Sequence, residues 1–561
     1  MKNWKVIIVL LTVNITVAIC LISSGFNLKH TILEFFYRNE NSVDSKIIFS
    51  KKSGFYSEEF YLKISAPSDD IYYTLDGSEP TKDSHKYEEP ILIFDATQNE
   101  NTNSMRTDFS GEFLKGYSKY RVPEYLIDKC TVLKAAYYDK AGNRSKTEER
   151  IYFVGFQEKS GYNNVNVISI TAEPEDLFGH KKGIYVLGET FENYEETVDL
   201  TQYKEYEWEA NYKNSGRAWE RKAHIQVFDT EQKLVLSQSV GIRIQGGVSR
   251  SFYPKSLNLY ARDEYGSNQM QYDFFDTGYY PQRVTLSSGG NDYYGKMRDI
   301  LGADMTRDCD ICTMHYIPYV LFLNGEYWGF YFMTEKYDEH FIEHYYNVDK
   351  DNVVIVKQDG LEAGNPEDFR LYEDMRSFIT TADMTVEENY MKACEMIDIE
   401  SFIDYYAAEI YMARTGDWPS ANVALWRSRG ISQKEYEDGK WRWMLFDVNT
   451  AALKEELTEH DTIAYVTEEC ELFANLSKNP QFRSAFSNRL REMRDVVFDV
   501  QLVNEKLDEY KALMSDPMEK YFQRFFGMSN DEFHERRREI RTFAAERQNY
   551  IDTMLENNGF E

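Results

Sequence analysis

The hydrophobic pattern changes character three times along the chain. Behind Lys2 and Lys5 runs a stretch from Val6 to Gly25 with no charged residue and few polar ones. At about 1.5 Å per helical residue it is long enough to cross about 30 Å of hydrocarbon, and its basic flank places the N-terminus inside. The expectation is a signal anchor, a transmembrane helix over residues 1–28, then a linker over 29–45. A cleaved signal peptide is the rival reading, although no small-x-small cleavage motif stands out. From residue 46 to 156 the pattern becomes short alternating runs, such as Phe60-Tyr-Leu-Lys-Ile-Ser and Ile71-Tyr-Tyr-Thr, broken by turn residues such as Asp76-Gly77. That is the pattern of a small all-β sandwich. The Asn-, Ser- and Gly-rich stretch from Asp95 to Arg121 reads as an inserted surface loop.

From residue 160 to 560 strands and helices alternate, and then helices take over, which predicts an α+β domain. Strands are expected at Val165–Thr171, Gly183–Gly188, Lys222–Phe228, Val240–Gln245 and Ser256–Tyr260. Asn324-Gly325 between two long apolar runs is the strongest hairpin signal in the chain. A helix is expected over Tyr294–Asp308, and a second hairpin pairs Val423–Trp426 with Trp441–Phe446. Helical periodicity covers Ile399–Arg414 and Gln481–Leu555.

Composition narrows the function classes. With 94 acidic against 64 basic residues, the net charge of −30 argues against nucleic acid as a partner and favours basic or neutral ones. The 43 tyrosines are too many for an acidic disordered chain, so most of the sequence must fold. Cys309 and Cys312 form an isolated C-x-x-C with no second pair, which reads as a local disulfide or two ordinary thiols rather than a zinc site.

Four stretches hold residue types that phosphoryl transfer requires: a cation on the phosphates, a carboxylate near the attacking hydroxyl, and oxygens that hold metal. In Gln245-Gly-Gly-Val-Ser-Arg-Ser-Phe-Tyr-Pro-Lys255, the glycines Gly246 and Gly247 let backbone N–H groups approach a phosphate, with Arg250 and Lys255 as charges. Asp417 followed by Asn422 has the spacing of the protein-kinase catalytic loop, Asp as base and Asn on metal, with Thr415-Gly416 where His-Arg usually stands. Asp447 leaves a buried strand where a kinase keeps its metal-binding Asp, and Asn449 adds a second oxygen or caps the next turn. Glu335, after the Asn324-Gly325 hairpin, falls at the position of an interlobe hinge near adenine or ribose. Asp299, on the expected helix, is a candidate partner for Lys255. Each stretch alone also has an ordinary structural reading as a hairpin, turn or helix cap.

Two resemblances add to these readings. Ile71-Tyr-Tyr-Thr-Leu-Asp-Gly-Ser-Glu-Pro-Thr81, with Cys130-Thr-Val-Leu-Lys-Ala-Ala-Tyr and Ala141-Gly-Asn-Arg-Ser, resembles the immunoglobulin-like domain at the C-terminus of chitobiases, a module that serves as a spacer and, in a minority reading, binds carbohydrate. Val240-Gly-Ile-Arg-Ile-Gln-Gly-Gly-Val-Ser-Arg-Ser-Phe-Tyr-Pro-Lys-Ser-Leu, Phe322-Leu-Asn-Gly-Glu-Tyr-Trp-Gly-Phe-Tyr and Asp417-Trp-Pro with Asn422 resemble the CotH kinase family of spore-coat proteins. That resemblance implies a two-lobed domain similar to atypical protein kinases, using ATP with Mg2+ or Mn2+ to phosphorylate serine on secreted, coat or cell-surface proteins. It carries Lys255 to the phosphate-binding lysine, Asp417 to the catalytic base, and Asn422 and Asp447 to the metal ligands. The family often has Asp-x-Asp at the metal site, whereas Asn449 here removes one charge. The expected protein substrate is basic and Ser-rich, and the expected location is extracytoplasmic, membrane-anchored through the N-terminal helix or secreted if that segment is cleaved. The alternative is a non-catalytic adhesion or scaffold protein built on a kinase-like fold.

Overall fold

The computed structural model describes residues 47–114 and 119–560. The expected anchor and linker lie outside the described residues, and among these no helix is long and apolar enough to cross a membrane.

Short alternating runs near the start build a five-stranded sheet in the order Gly54–Tyr56, Glu148–Val154, Thr131–Tyr137, Ile71–Thr74, His85–Lys86. Two small ladders complete it, Ile48–Phe49 with Ile64–Ser65 and Phe60–Leu62 with Ile91–Ile93. Leu62, Ile71, Ile93, Leu133 and Tyr152 close a small core between them.

Seven strands then close a barrel in the order Asn166–Ala172, Arg221–Phe228, Leu234–Ile244, Leu257–Tyr260, Arg283–Ser287, Glu326–Thr334, Tyr316–Leu323. The closing pair, Tyr316–Leu323 with Asn166–Ala172, is parallel and the others are antiparallel. Glu326–Thr334 is buried at every position, because one face looks into the barrel and the other is covered. Helix Val500–Phe526 lies over it, and a Cβ on Gly329 would come within 2.9 Å of the Phe525 ring. The Asn324-Gly325 turn has φ of 46° and 87°, the left-handed pair that a two-residue hairpin requires.

Beyond residue 334 lies a four-stranded sheet, Gly360–Ala363, Val353–Lys357, Ala424–Ser428, Arg442–Met444, packed on helices. Ala424 pairs with Met444 and Trp426 with Arg442, so the expected second hairpin is formed and the polar residues 429–440 loop away from it. Helix Ile399–Tyr411 is buried from Ser401 to its end.

Three expectations are corrected. Gly183–Gly188 is not a strand: Tyr185 donates its N–H to Leu177 O and Leu187 to Asp108 O, so its apolar residues are buried in irregular backbone tied to neighbouring loops. The helix expected over Tyr294–Asp308 is confined to Arg298–Met305. The stretch from Asp95 to Arg121 is more than a surface loop: among its described residues, exposed polar positions alternate with buried anchors. Phe109 is fully buried among Tyr185, Tyr253 and Trp328, with ring centroids 5.1–5.6 Å away, and Tyr120 is buried against Tyr253, 5.7 Å away. Its polar composition hid these two anchors.

The same contacts weld the sandwich to the barrel. Phe153 of the sandwich lies 5.4 Å from Phe228 and 5.0 Å from Phe322 of the barrel. Glu326 accepts the backbone N–H groups of Thr102 and Ser104 at 2.6 and 2.7 Å, and Lys520 of the long helix pairs with Asp128 at 2.7 Å. Aromatic area of this size resists hinging.

Candidate active site

Strand register brings the chemistry together. Lys357 pairs with Ala424, and Ala424 with Met444, so Gln358, Asn422 and Asp447 all leave the same end of the four-stranded sheet. Gln358 donates to Asn422 Oδ1 at 3.0 Å, and Asn422 Nδ2 donates to Asp417 Oδ2 at 2.6 Å. The second oxygen of Asp417, Oδ1, is shielded from solvent without a partner among the described residues.

Asp447 and Asn422 are both in the left-handed region, at φ 58° and 54°, which Asp and Asn tolerate better than other non-glycine residues. Asn449 Nδ2 donates to Asp447 Oδ1 at 2.9 Å and to Asp299 Oδ2 at 2.6 Å, bridging two carboxylates with one amide. Burial and the nearby Asp447 charge push Asp299 up to about 7. From the barrel side, the loop after strand Arg283–Ser287 completes the wall. Asn291 donates its N–H to Asn449 Oδ1 at 3.3 Å and its amide to Thr450 at 3.1 Å. Gly289 and Gly290 at φ 95° and 53° shape this turn.

Arg414 ties the two loops together. Its guanidinium, fully buried, donates to Glu409 Oε1 at 2.6 Å, to Phe446 O at 3.3 Å and to Asp447 O at 2.8 Å. It therefore stands three residues before Asp417 and grips the backbone of Asp447.

Among the described residues, no three His, Cys, Asp or Glu side chains converge on a metal-ligating point. The oxygens available are those of Asp447, Asp299, Asn449 and Asn422. A Mg2+ ion that keeps waters and substrate phosphates in its shell needs one or two protein carboxylates, so this set fits such an ion. The crowding of Asp299 against Asp447 is what a cation would relieve.

The remaining sequence candidates lie elsewhere. Lys255 is fully buried; its Nζ donates to Arg250 O at 2.6 Å and Phe252 O at 3.1 Å and sits 3.7 Å above the Tyr212 ring. Burial drives it well below the usual lysine range. The pair with Asp299 is not made, because the ammonium closes its own turn. Arg250 folds back onto Gly246 O and Asn214 O, at 2.5 and 2.9 Å, so the Gly246-Gly247 turn is held by its own basic side chains. Glu335 is buried between His315, whose N–H it accepts at 2.8 Å, and Tyr345, which leaves no carboxylate oxygen facing a ligand.

A family model described as CotH kinase protein matches residues 242–551, more than half of the chain. The chain belongs to the CotH kinase protein family. An Fn3-associated model matches residues 61–152, within the sandwich. No curated protein matches the chain.

In this CotH-family domain the residues that sequence reasoning passed over are Arg414 and the Ser287–Asp292 loop. Arg414 had a signal, an arginine three positions before the candidate base at the end of an apolar helix. Gly289-Gly290 had one too, although a Gly pair marks a turn without saying what the turn faces. The two cysteines of the C-x-x-C are free thiols, Cys312 sitting between the Tyr346 hydroxyl and the Trp426 indole.

Proposed function

We propose that this CotH-family protein is a metal-dependent phosphotransferase that moves the γ-phosphoryl group of ATP to serine, or threonine, on an extracytoplasmic protein. The observation that carries the reading is the joining of the Asp417–Asn422 loop to the Asp447–Asn449 loop through Arg414, at one end of one sheet. Asp417 is the base: one oxygen is fixed by Asn422, and the other, although shielded from solvent, has no partner among the described residues. Asp447, Asp299, Asn449 and Asn422 are the side chains that would hold Mg2+ or Mn2+. The ion, when bound, neutralises charge developing on the phosphoryl oxygens. Arg414 is a positioning residue, since it reaches the site only through the Asp447 carbonyl.

A cavity of about 400 Å³ beside Pro419 and Ser420 supports a basic acceptor. Its floor holds Tyr372, Tyr406 and Trp443, and its rim holds Asp359, Glu468, Glu469 and Glu471, against the single cation Arg376. Such a rim attracts Lys- or Arg-containing segments near the serine.

The test is transfer of labelled γ-phosphate to a basic Ser-rich protein in Mg2+ or Mn2+, comparing wild type with Asp447→Ala. Transfer by wild type and none by the variant is expected; equal transfer by both sinks the reading. A second reading, a surface scaffold without catalysis, is favoured by one observation, the sequestration of Lys255. It predicts no thermal stabilisation by ATP, whereas a ligand at about 100 times its Kd adds about 2.7 kcal/mol to a native state that binds it.

A further inference from the structure

With Lys255 sealed in its own turn, the cleft must find its phosphate-binding charge elsewhere. Two lysines stand out because, among the described residues, no hydrogen bond or ion pair holds them. Lys336 lies in the segment between strand Glu326–Thr334 and helix Glu339–Tyr346, and Lys357 ends strand Val353–Lys357. Both are partly buried. In a chain with a net charge of −30, cations are outnumbered and ordinarily find carboxylates. Yet among the described residues neither ammonium donates a hydrogen bond or has a carboxylate within 4.0 Å.

Their location is specific. Lys357 Nζ sits 4.2 Å from the centroid of the Phe446 ring, the residue before Asp447, and the next residue, Gln358, bonds Asn422. Tyr337, beside Lys336, donates its hydroxyl to Leu445 O at 2.7 Å, which fixes the Lys336 segment against the Asp447 strand. Arg283 adds a third cation; it is paired with Asp338 at 3.2 Å, and its Nε is shielded without a partner. The acids of this neighbourhood are engaged or distant. Asp338 caps helix Glu339–Tyr346 through two backbone N–H groups, and Glu362 and Asp447 act on the lysines only through space. Burial, with repulsion from Lys357 and Arg283, pushes Lys336 down to about 8.

We propose that Lys336 and Lys357 form an anion cradle that takes the polyphosphate chain of a nucleotide, the role that Lys255 cannot fill. The cradle lies on the barrel-to-sheet connection and at the end of an interior strand of the sheet, so the phosphates bridge the two halves of the domain with their terminal group toward Asp447. The identity of the anion rests on the phosphotransfer reading; the cradle itself rests on the unpaired charges.

The test uses the full chain and two probes, tripolyphosphate alone and ATP with Mg2+. Calorimetry of wild type, Lys336→Gln/Lys357→Gln and Lys336→Arg/Lys357→Arg should show tripolyphosphate binding in the first and third, and a loss of about tenfold or more in affinity in the second. If the Gln variant does not fold, amine-reactive labelling of wild type serves instead: tripolyphosphate should protect Lys336 and Lys357. Unchanged affinity in a folded Gln variant, or unchanged labelling, overturns the cradle. Protection without phosphoryl transfer leaves the cradle standing and removes the phosphotransferase reading. Transfer with undiminished nucleotide affinity in the Gln variant does the reverse.

Discussion

Replacing Arg414 by Met tests how the site is braced. Both side chains of the Arg414–Glu409 pair are fully buried, so the substitution strands the Glu409 charge in the helix core. Removing one partner of a buried ion pair costs about 3–5 kcal/mol, mostly from the charge left behind. The double variant Glu409→Gln/Arg414→Met removes that charge. Its remaining loss is the pair of bonds to Phe446 O and Asp447 O, about 0.5–1.5 kcal/mol each. Urea unfolding at constant m should therefore show Arg414→Met as the less stable protein and the double variant recovering part of the difference. Activity should separate from stability, because the double variant still lacks the grip on Asp447 and stays impaired in metal-dependent nucleotide binding. A loss below about 1 kcal/mol in Arg414→Met, or no recovery in the double variant, refutes the brace.

Phe109→Ala should cost about 3–5 kcal/mol in chemical denaturation, since the ring fills the seam between insertion and barrel; a near-neutral effect would mean that the sandwich is a loose appendage. Glu149, buried where the sandwich meets Thr171 and Gln226 of the barrel, is raised from 4.5 to about 7 by burial, so its contribution to stability is fully present below about 4.5 and lost as pH rises through 7. Glu149→Gln should flatten that dependence by up to about 3 kcal/mol in urea midpoints taken at pH 5 and pH 8; an unchanged slope would exclude Glu149 as its source. Lys255→Met should leave ATP affinity by calorimetry unchanged, because the ammonium faces carbonyls of its own turn, and a large loss would restore it to the binding site.

Much of this architecture was legible in the sequence because its signals are local. Asn324-Gly325 dictates a hairpin whatever surrounds it, and alternation in Val165–Thr171 and Lys222–Phe228 needs only the next strand. The polar loop 429–440 could be set aside without losing the pairing of its flanks. Non-local burial was not legible. Phe109 and Tyr120 sit in a polar stretch and are buried only because the barrel supplies a groove, and Gly183–Gly188 is apolar because it is covered, not because it is a strand. Asp417 and Asn422 were candidates by their spacing, and Asp447 by its place at the end of a buried strand. The basic turn at Lys255 misled because a lysine beside glycines looks the same whether its ammonium points to a ligand or to its own carbonyls. Lys336 and Lys357 carry no motif, and only the lack of a bonded or ion-paired carboxylate distinguishes them.

The central claim is that the Asp417 and Asp447 loops serve one metal–nucleotide complex. Calorimetric titration of ATP with and without Mg2+ into wild type, Asn422→Ala, Asp447→Ala and the double variant tests it most directly. One shared ion predicts that each single variant loses the metal-dependent part of the affinity and that the double variant loses little more than either. Losses that add in full, or an affinity indifferent to metal in the wild type, would contradict it.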